Sequence, residues 1–491
     1  MKAPSSAGDG MRHTVLLGLL VAMGLARGAW AQDPITAFVN VSVVPMDRER
    51  VLPHQTVIVR GARIVALGPA HRVRVPPTAV RIDGKGKFLL PGLADMHTHI
   101  PGLDSAGWFP DSAMADAERQ LFLFVANGVT TIRVMRGWAQ TLTLRDRVAR
   151  GELFGPRMYV ARRAIEHAGK GWEDSAVRIV EDVEAAKAAG YDLYKVHGAI
   201  KGGTAAHDSL VAAARRVRLP IAGHVPNGVD NLTYAGSPGA LSLEQAIDAG
   251  YTSIEHLLGF AEAAVPGYAE SEARQQSPPE PGLDQVDEGK LHAIALRLRQ
   301  ARVWNCVTLG VRVNVGRSLP IAQHPELRYL PDSARQFWAK RLPYFVEHDD
   351  PKWFTFDRKV IRALRETGAG ILLGTDSPIS AWGMPLAGFP VHEELLALVR
   401  AGLTPYQALA TGTRNVAAYL GTLDSTGTVA VGKRADLVLL AGNPLTDIRQ
   451  TAVPAGVMVG GHWLDRTALD ARLPTVVASL INVHAMVRLQ R

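Results

Sequence analysis

The sequence predicts a (β/α)8 TIM barrel, an α/β fold, together with a small β-sandwich domain built from both ends of the chain. The first observation behind this prediction is that the middle of the 491-residue chain alternates apolar strand segments with helical segments. The second is that eight such strand segments occur, which is the number that closes a barrel of this kind. The third is that short strand-like segments flank this middle part on both sides.

The predicted barrel occupies residues 89–423. Its strands are residues 92–99, 129–135, 156–161, 191–197, 219–225, 251–257, 302–309 and 370–376. After the last strand, Thr404-Pro405-Tyr406-Gln407 combines an N-cap Thr, a Pro at the first helical position and a capping-box Gln. Residues 271–289 and 315–356 are longer than the connections of a barrel require, so we expect them to form a lid or wall over its mouth.

The two ends of the chain predict one composite β domain. Residues 33–88 contain short alternating segments such as Phe38-Val39-Asn40-Val41-Ser42-Val43, and residues 424–466 contain a matching set. Two half-sets of strands around a long middle part indicate a domain assembled from both termini. Residues 467–491 are then a C-terminal tail.

Residues 1–31 have the features of a secretory signal peptide. A positive charge at Arg12 precedes an apolar run from Val15 to Leu25, and Ala29-Trp30-Ala31 provides the small residues that a signal peptidase requires. The apolar run is short for a membrane span, so a cleaved signal is favoured over a retained anchor. We therefore expect a secreted, periplasmic protein that is not associated with a membrane after cleavage.

The charge and cysteine content narrow the function classes. The chain carries a formal net charge of +8, of which +2 belongs to residues 1–31, so +6 remains after cleavage. Because the arginines are scattered, we expect no nucleic-acid partner but a small-molecule substrate. The sequence leaves a homo-oligomer open. The single cysteine, Cys306, excludes an intrachain disulfide and a cysteine-built zinc site, so any metal must be held by histidines and carboxylates.

The strongest functional motif is Met96-His97-Thr98-His99, at the end of an apolar approach. Residues i and i+2 of a strand point to the same side, so His97 and His99 can hold one divalent ion together. An isolated pair of this kind is more often two structural histidines. However, His224, His256 and Asp376 also end apolar strands, at the barrel face where active sites lie. Five candidate ligands on four strands favour a metal site.

Lys195 ends another predicted strand with the same inward orientation. One interpretation is a salt-bridged lysine at the end of a strand. The other starts from burial beside metal ions, which favours the neutral amine. A neutral amine can react with carbon dioxide to give a carbamate, whose two oxygens can bridge two metals about 3.5–4 Å apart. Its position among the ligands favours the second interpretation.

This ligand series resembles that of the amidohydrolase superfamily. The closest branch is the imidazolonepropionase-like and prolidase-like group, which includes secreted hydrolases of dipeptides and N-acyl amino acids. The resemblance covers nearly the whole mature chain and rests also on the divided β domain and two further segments. These are Gly432-Lys433-Arg434-Ala435-Asp436-Leu437-Val438 and Val391-His392-Glu393-Glu394-Leu395.

The resemblance implies two divalent metal ions and the residues that hold them. His97, His99 and Asp376 would hold the more buried ion, His224 and His256 the other, and carbamylated Lys195 would bridge them. A hydroxide between the metals would attack the carbonyl of the substrate, and Asp376 would carry a proton to the leaving nitrogen. Zinc suits a histidine-rich ligand set, and manganese and cobalt are alternatives.

Four residues are candidates for substrate binding: His167, His197, Arg136 and Tyr234. Arg133 and Arg162 are further candidates, because arginine is suited to binding a carboxylate with two hydrogen bonds. Each of these residues also has a plain structural interpretation, either a salt bridge or a packing contact. The sequence does not decide between the two interpretations.

Three other functions remain open at this point. A lactone or ester hydrolase is one, because the same nucleophile attacks those carbonyls and a metal site does not distinguish them. An imidazolonepropionase is disfavoured by the signal peptide and by Lys195, since that enzyme uses one metal without this lysine. A non-catalytic periplasmic binding protein would need neither Asp376 nor a bridging lysine.

Overall fold

The described part of the chain folds into two β-sheets, one of them surrounded by helices. The computed structural model describes residues 33–100, 111–162, 176–198, 203–225, 241–268, 282–312, 332, 335–336, 351–377 and 386–480. Its strands are β1 Ile35–Val43, β2 Leu52–Arg60, β3 Arg63–Pro69, β4 Val80–Asp83, β5 Phe88–Pro91, β6 Leu93–Thr98, β7 Val129–Gly137, β8 Arg157–Arg162, β9 Leu193–Val196, β10 Ile221–Gly223, β11 Ser253–Glu255, β12 Trp304–Cys306, β13 Ile371–Leu372, β14 Leu437–Leu440, β15 Gly456–Val459 and β16 His462–Asp465.

Helices occupy most of the connections between the barrel strands. The α-helices within the described ranges are α1 Asp111–Ala126, α2 Ala139–Ala149, α3 Ala176–Ala188, α4 Gly203–Val217, α5 Leu243–Asp248, α6 Phe260–Ala264, α7 Glu288–Ala301, α8 Pro351–Thr367, α9 Pro390–Arg400, α10 Pro405–Thr411, α11 Arg414–Tyr419 and α12 Arg466–Leu480. The capping box predicted at Thr404 and Gln407 is present at the start of α10.

The barrel sheet consists of β6 to β13 in chain order, and each neighbouring pair of strands is parallel. Backbone hydrogen bonds join its last strand to its first. The Met96 amide donates to the Leu373 carbonyl at 2.8 Å, and the Asp376 amide donates to the His97 carbonyl at 2.7 Å. The predicted (β/α)8 barrel is therefore confirmed.

The eight predicted strand segments each overlap one observed barrel strand. The observed strands are mostly shorter, because several apolar segments leave the sheet before their polar ends. The largest differences are in the last two strands, where the sequence predicts residues 302–309 and 370–376 and only Trp304–Cys306 and Ile371–Leu372 pair regularly. The polar ends remain as turns at the rim of the barrel, which is where the candidate ligands lie.

The second sheet contains β1 to β5 and β14 to β16, so it is built from both termini as predicted. Phe38 on β1 packs against Trp463 on β16 with ring centroids 5.1 Å apart, although β5, β14 and β15 lie between them in the sheet. At the other edge, the Ile64 amide donates to the Lys433 carbonyl at 2.9 Å. The sheet thus curls around its own apolar core, which is separate from the core of the barrel.

Two predicted segment boundaries can be compared with the structure. The strand β5 pairs with β1 and β14, so the terminal sheet extends through Pro91, three residues past the expected boundary at residue 88. The expected C-terminal tail begins with helix α12, which packs on α1 through buried residues that include Leu469, Leu473 and Val477. Residues 481–491 lie outside the described residues.

The two predicted excursions lie largely outside the described residues. Of residues 271–289, the structure describes a short 3-10 helix at Leu283–Gln285 and the start of α7. Of residues 315–356, it describes mainly the first turn and a half of α8, where Trp353 packs on the ring of Tyr268 at 6.3 Å. Their role as a lid or wall stays a prediction.

Two glycines permit the close packing of barrel strands next to the candidate ligands. Gly223 has φ +143°, and a Cβ atom there would lie 2.0 Å from the carbonyl oxygen of Val196. A Cβ atom on Gly374 would lie 2.3 Å from the sulfur of Cys306. Because no other residue lacks a Cβ atom, both positions require glycine. These glycines let the turns that carry His224 and Asp376 approach the neighbouring strands.

Candidate metal centre

Six polar residues of the sequence prediction converge at the carboxyl ends of the barrel strands. All six are largely buried at the rim of the barrel. The exposed fraction is at most 8% for each of His97, His99, Lys195, His224 and Asp376, and 11% for the side chain of His256. They come from β6, β9, β10, β11 and β13 or from the turn that directly follows each strand. The carboxyl ends of parallel barrel strands meet on one face, which explains the convergence.

The carboxylate of Asp376 lies at the centre of this cluster. Its Oδ1 atom is 2.8 Å from Nε2 of His99 and 3.3 Å from Nε2 of His97, and its Oδ2 atom is 4.0 Å from Nε2 of His256. One ligand atom from each of His97, His256 and Asp376 lies within 4.8 Å of the others. Imidazole nitrogens and a carboxylate gathered at this spacing fit a divalent transition metal ion.

The other half of the cluster surrounds Lys195 and His224. The Nζ atom of Lys195 lies 3.2 Å from Nε2 of His97. The ring of His224 lies 4.8 Å from the ring of His256 and 4.5 Å from the ring of His197. Lys195 is thus adjacent to His97, and its charge also acts on His224.

The surroundings favour the ionisation states that metal ligands require. Burial lowers the pKa of His97 well below its ordinary value, and the nearby charge of Lys195 adds to the effect. Burial likewise lowers the pKa of His224, with a further contribution from His197. Burial alone would raise the pKa of Asp376, but the hydrogen bond from His99 and the nearby charges outweigh it and lower the pKa. Neutral imidazoles and an ionised carboxylate are the forms that bind metals.

Three residues of the centre have backbone conformations that L-residues rarely adopt. The φ angles are +62° at His256, +56° at Asp376 and +46° at Thr308. The hydroxyl of Thr308 lies 2.6 Å from Nδ1 of His256, so the strained turn after β12 orients this imidazole. Such strain costs about 1–3 kcal/mol per residue and is commonly retained at functional sites.

A buried ionic network lies directly beneath the centre, and sequence reasoning did not find it. Glu255 accepts hydrogen bonds from Nδ1 of His97 at 2.7 Å and from the hydroxyl of Ser253 at 2.6 Å. It also forms an ion pair with Arg133 at 2.8 Å, and both side chains are at most 1% exposed. The one signal in the sequence was an acidic residue inside an apolar strand, directly before His256.

For Arg133, the structure favours the salt bridge, the structural one of its two interpretations. Its guanidinium donates to the Met96 carbonyl and to the hydroxyls of Ser253 and Tyr419, in addition to its ion pair with Glu255. The side chain lies inside the barrel, where no substrate carboxylate can reach it. The sequence could not reveal this, because the partner that fixes Arg133 is 122 residues away in the chain.

His97, Glu255 and Cys306 also lie close enough to be considered as a second metal group. Their arrangement fits a hydrogen-bonded cluster better. Both oxygens of Glu255 already accept short hydrogen bonds. Burial raises the pKa of the Cys306 thiol well above its ordinary value, so the thiolate that a metal needs is disfavoured.

The structure describes two of the four candidates for substrate binding. His197 stacks on His224 with ring centroids 4.5 Å apart, so it borders the metal centre. Arg136 is half-buried near the carboxyl end of β7. His167 and Tyr234 lie outside the described residues. Arg162, a further candidate, forms an ion pair with Asp182 at 2.6 Å, in line with its structural interpretation.

Comparison with known proteins agrees with this geometry. Residues 88–263 and 357–464 match the family described as the amidohydrolase family, over more than half of the chain. The chain belongs to the amidohydrolase family. It is therefore a metal-binding hydrolase that acts on carbon–nitrogen bonds, and these expectations are confirmed.

Individual relatives of this amidohydrolase span most of its length. An imidazolonepropionase of Rubrobacter xylanophilus is 28% identical over 401 residues, which cover 78% of this chain and 84% of the relative. A solved structure of a putative prolidase from Bifidobacterium longum matches with a TM-score of 0.61 at 22% identity, covering 91% of this chain and 99% of the other. A solved Xaa-Pro dipeptidase with bound methionine matches with a TM-score of 0.61 at 19% identity, covering 88% of this chain and all (100%) of the other. These structures share its fold.

Glu394 supports the turn that orients His256 in this amidohydrolase. Its carboxylate accepts hydrogen bonds from the amides of Leu309 at 2.7 Å and Gly310 at 2.8 Å, directly after Thr308. Burial raises the pKa of Glu394 from its ordinary 4.5 to about 8, although these hydrogen bonds act in the opposite direction. The folded state therefore binds this proton more tightly than the unfolded state does.

We expect the contribution of Glu394 to stability to be complete below pH 4.5 and to be lost as the pH rises toward about 8. Glu394→Gln removes the carboxyl group that titrates. The free energy of unfolding of this variant should therefore fall less between pH 5 and pH 8 than that of the wild type. Urea unfolding at several pH values measures both slopes, with the exposed Glu288→Gln as control. Equal slopes for wild type and Glu394→Gln would contradict the assignment.

Proposed function

We propose that this amidohydrolase cleaves the amide or peptide bond of small substrates, of the dipeptide or N-acyl amino acid type. The observation that carries the proposal is the arrangement of His97, His99 and His256 around the carboxylate of Asp376, with Lys195 and His224 alongside. Ligands for a metal and a group that can carry a proton are thereby brought to one point. Hydrolysis of an unactivated carbonyl requires both a bound metal ion and a group that transfers a proton.

The proposal assigns two divalent ions, most suitably zinc, to the centre. His97, His99 and Asp376 would hold one ion, and His224 and His256 would hold the other. The donor set fits this assignment, because histidine nitrogens and a carboxylate are the ligands of catalytic zinc. When bound, such ions lower the pKa of water from about 15.7 toward about 7 and polarise the substrate carbonyl.

Lys195 has a specific place in this proposal. As an ammonium group it would add a positive charge beside ligands that are meant to hold cations. Reaction of its neutral amine with carbon dioxide forms an N–C bond and releases one proton, which leaves a carbamate with one negative charge. The carbamate would supply oxygen ligands on both sides, and its position 3.2 Å from Nε2 of His97 suits this task.

Asp376 is the residue that we assign to proton transfer. Its carboxylate would accept a proton from the attacking water and donate it to the nitrogen of the departing amine. Its Oδ1 atom lies 2.8 Å from Nε2 of His99, so the carboxylate is at the point where the proposed metal ligands converge. A leaving amine is a poor leaving group without such a proton, so the step is essential for amides.

The substrate class rests on relatives and on residues at the mouth of the barrel. An imidazolonepropionase, a putative prolidase and a Xaa-Pro dipeptidase are all similar to this chain, and the last is named for cleavage of dipeptides. His197 borders the centre and Arg136 lies near the carboxyl end of β7, where either could bind a substrate carboxylate. An ester or lactone substrate is the alternative.

We expect purified wild-type protein to contain about two divalent ions per chain, because the ligands form two groups joined by Lys195. Lys195→Ala removes the bridge and should clearly reduce the metal content, with an unchanged circular dichroism spectrum. Elemental analysis after gel filtration measures this, with Lys187→Ala on the outer helix α3 as the control. Full metal retention in Lys195→Ala would contradict the bridging role.

We expect the zinc-loaded enzyme to hydrolyse dipeptides or N-acyl amino acids faster than lactones or esters. Asp376→Asn should lower kcat for amide substrates by more than about 100-fold, because the leaving amine is no longer protonated. A panel of both substrate classes with product quantification tests this. Preference for lactones would favour the alternative activity. A wild type without turnover, together with an Asp376→Asn variant that binds the same ligand as tightly as the wild type, would favour a binding protein.

We also propose that the protein is exported to the periplasm. The sequence of residues 1–31 supports this, and in the described part of the chain no helix is both long and apolar enough for a membrane span. N-terminal sequencing of protein recovered from a periplasmic extract should begin at Gln32, directly after Ala29-Trp30-Ala31. Recovery only as the full-length precursor from the cytoplasm would contradict export.

A further inference from the structure

Glu255 is a buried carboxylate that the proposed mechanism does not use. It ends strand β11 with 0% exposure, one residue before His256. An ionised carboxylate removed from water costs several kcal/mol unless partners compensate. Its partners are therefore informative about its role.

The two oxygens of Glu255 have different partners. Oε1 accepts from the guanidinium of Arg133 at 2.8 Å and from the hydroxyl of Ser253 at 2.6 Å. Oε2 accepts from Nδ1 of His97 at 2.7 Å. One oxygen is thus held by a fixed positive charge, and the other is presented to a proposed metal ligand.

We propose that Glu255 is a positioning residue for His97. Held by Arg133, its carboxylate keeps the single proton of the neutral imidazole on Nδ1 and directs the Nε2 lone pair into the centre. This inference rests on the proposed metal-dependent function and adds a residue that sets metal affinity without touching the metal.

The geometry around His97 carries this assignment. An ionised carboxylate only accepts hydrogen bonds, so Nδ1 must be the donor in the contact with Glu255. A neutral imidazole has one N–H, so Nε2 is left as an acceptor. That atom lies 3.2 Å from Nζ of Lys195 and 3.3 Å from Oδ1 of Asp376, on the side where the other ligands converge.

Arg133 makes the carboxylate a fixed acceptor. Its Nε atom donates to the Met96 carbonyl, and one of its terminal nitrogens donates to the hydroxyl of Tyr419 at 2.8 Å. These bonds anchor the guanidinium to β6, the strand that carries His97, and to helix α11. Glu255 consequently cannot rotate away from His97 without leaving a buried arginine uncompensated.

The test is the affinity of the full-length protein for zinc, measured by competition with a chromophoric chelator. Loss of a partner that orients a histidine ligand typically weakens metal binding 10–100-fold, and we expect this range for Glu255→Gln. The matched control is Asp436→Asn in the terminal sheet. It likewise neutralises a carboxylate that is paired with an arginine, Arg434 at 2.6 Å, and its backbone contacts Gly92, at the end of β6 opposite to His97. The control should bind zinc as the wild type does.

A second variant covers the case that Glu255→Gln fails to fold because Arg133 is left unpaired. Arg133→Met/Glu255→Leu removes both charges and the acceptor, and we expect it to fold and to bind zinc at least tenfold more weakly. If every variant that folds binds zinc within twofold of the wild type, the proposal is overturned, because an ion pair with a purely structural role predicts that result.

A second readout is independent of metal and of activity. Nuclear magnetic resonance of metal-free protein with 15N-labelled histidine should show the proton of His97 on Nδ1, and a proton on Nε2 would overturn the proposal. The two proposals can fail separately. Wild-type protein that does not bind zinc would contradict the proposed function, whereas wild-type binding that the variants retain would contradict only the role of Glu255.

Discussion

Closure of the barrel between its last and first strands is the constraint on which the centre depends. The amide of Asp376 donates to the carbonyl of His97, and the amide of His99 donates to the carbonyl of Ser377. These bonds bring together side chains that are 277 residues apart in the chain, so the carboxylate of Asp376 lies between two imidazoles. Gly374 permits this approach, because any side chain there would collide with Cys306. A barrel that did not close here would keep its strands but lose its metal centre.

Removal of water is the second contribution of the fold. The same burial that lowers the pKa of His97 and His224 would make an isolated carboxylate costly, and the structure compensates Glu255 with Arg133. Burial therefore has two different effects in neighbouring parts of the barrel. It keeps the imidazoles of His97 and His224 neutral and able to bind metal ions, and it excludes water from the ion pair between Arg133 and Glu255.

The sequence predicted the parts of this molecule that depend on local pattern. Apolar runs that end in His224 or Asp376 indicated the strands. They also indicated the ligand positions, because the residue that follows such a strand lies at the carboxyl-end face of the barrel. Pairings across the barrel could not be predicted in this way. The role of Arg133 stayed open because nothing local reveals Glu255 as its partner, and Glu255 was overlooked because its importance arises from His97 on another strand. The left-handed backbone conformation of His256 could not be predicted from the sequence either, because it occurs next to a contact with Thr308, on the turn after another strand.

The most direct test of the account is the location of bound zinc in crystals of the metal-loaded protein, from anomalous diffraction at the zinc absorption edge. The account predicts two strong peaks at the carboxyl ends of the barrel strands, one beside His97, His99 and Asp376 and one beside His224 and His256, with density joining Lys195 to both. Strong peaks only at other places, with the side chains of this cluster hydrogen-bonded to each other, would contradict it.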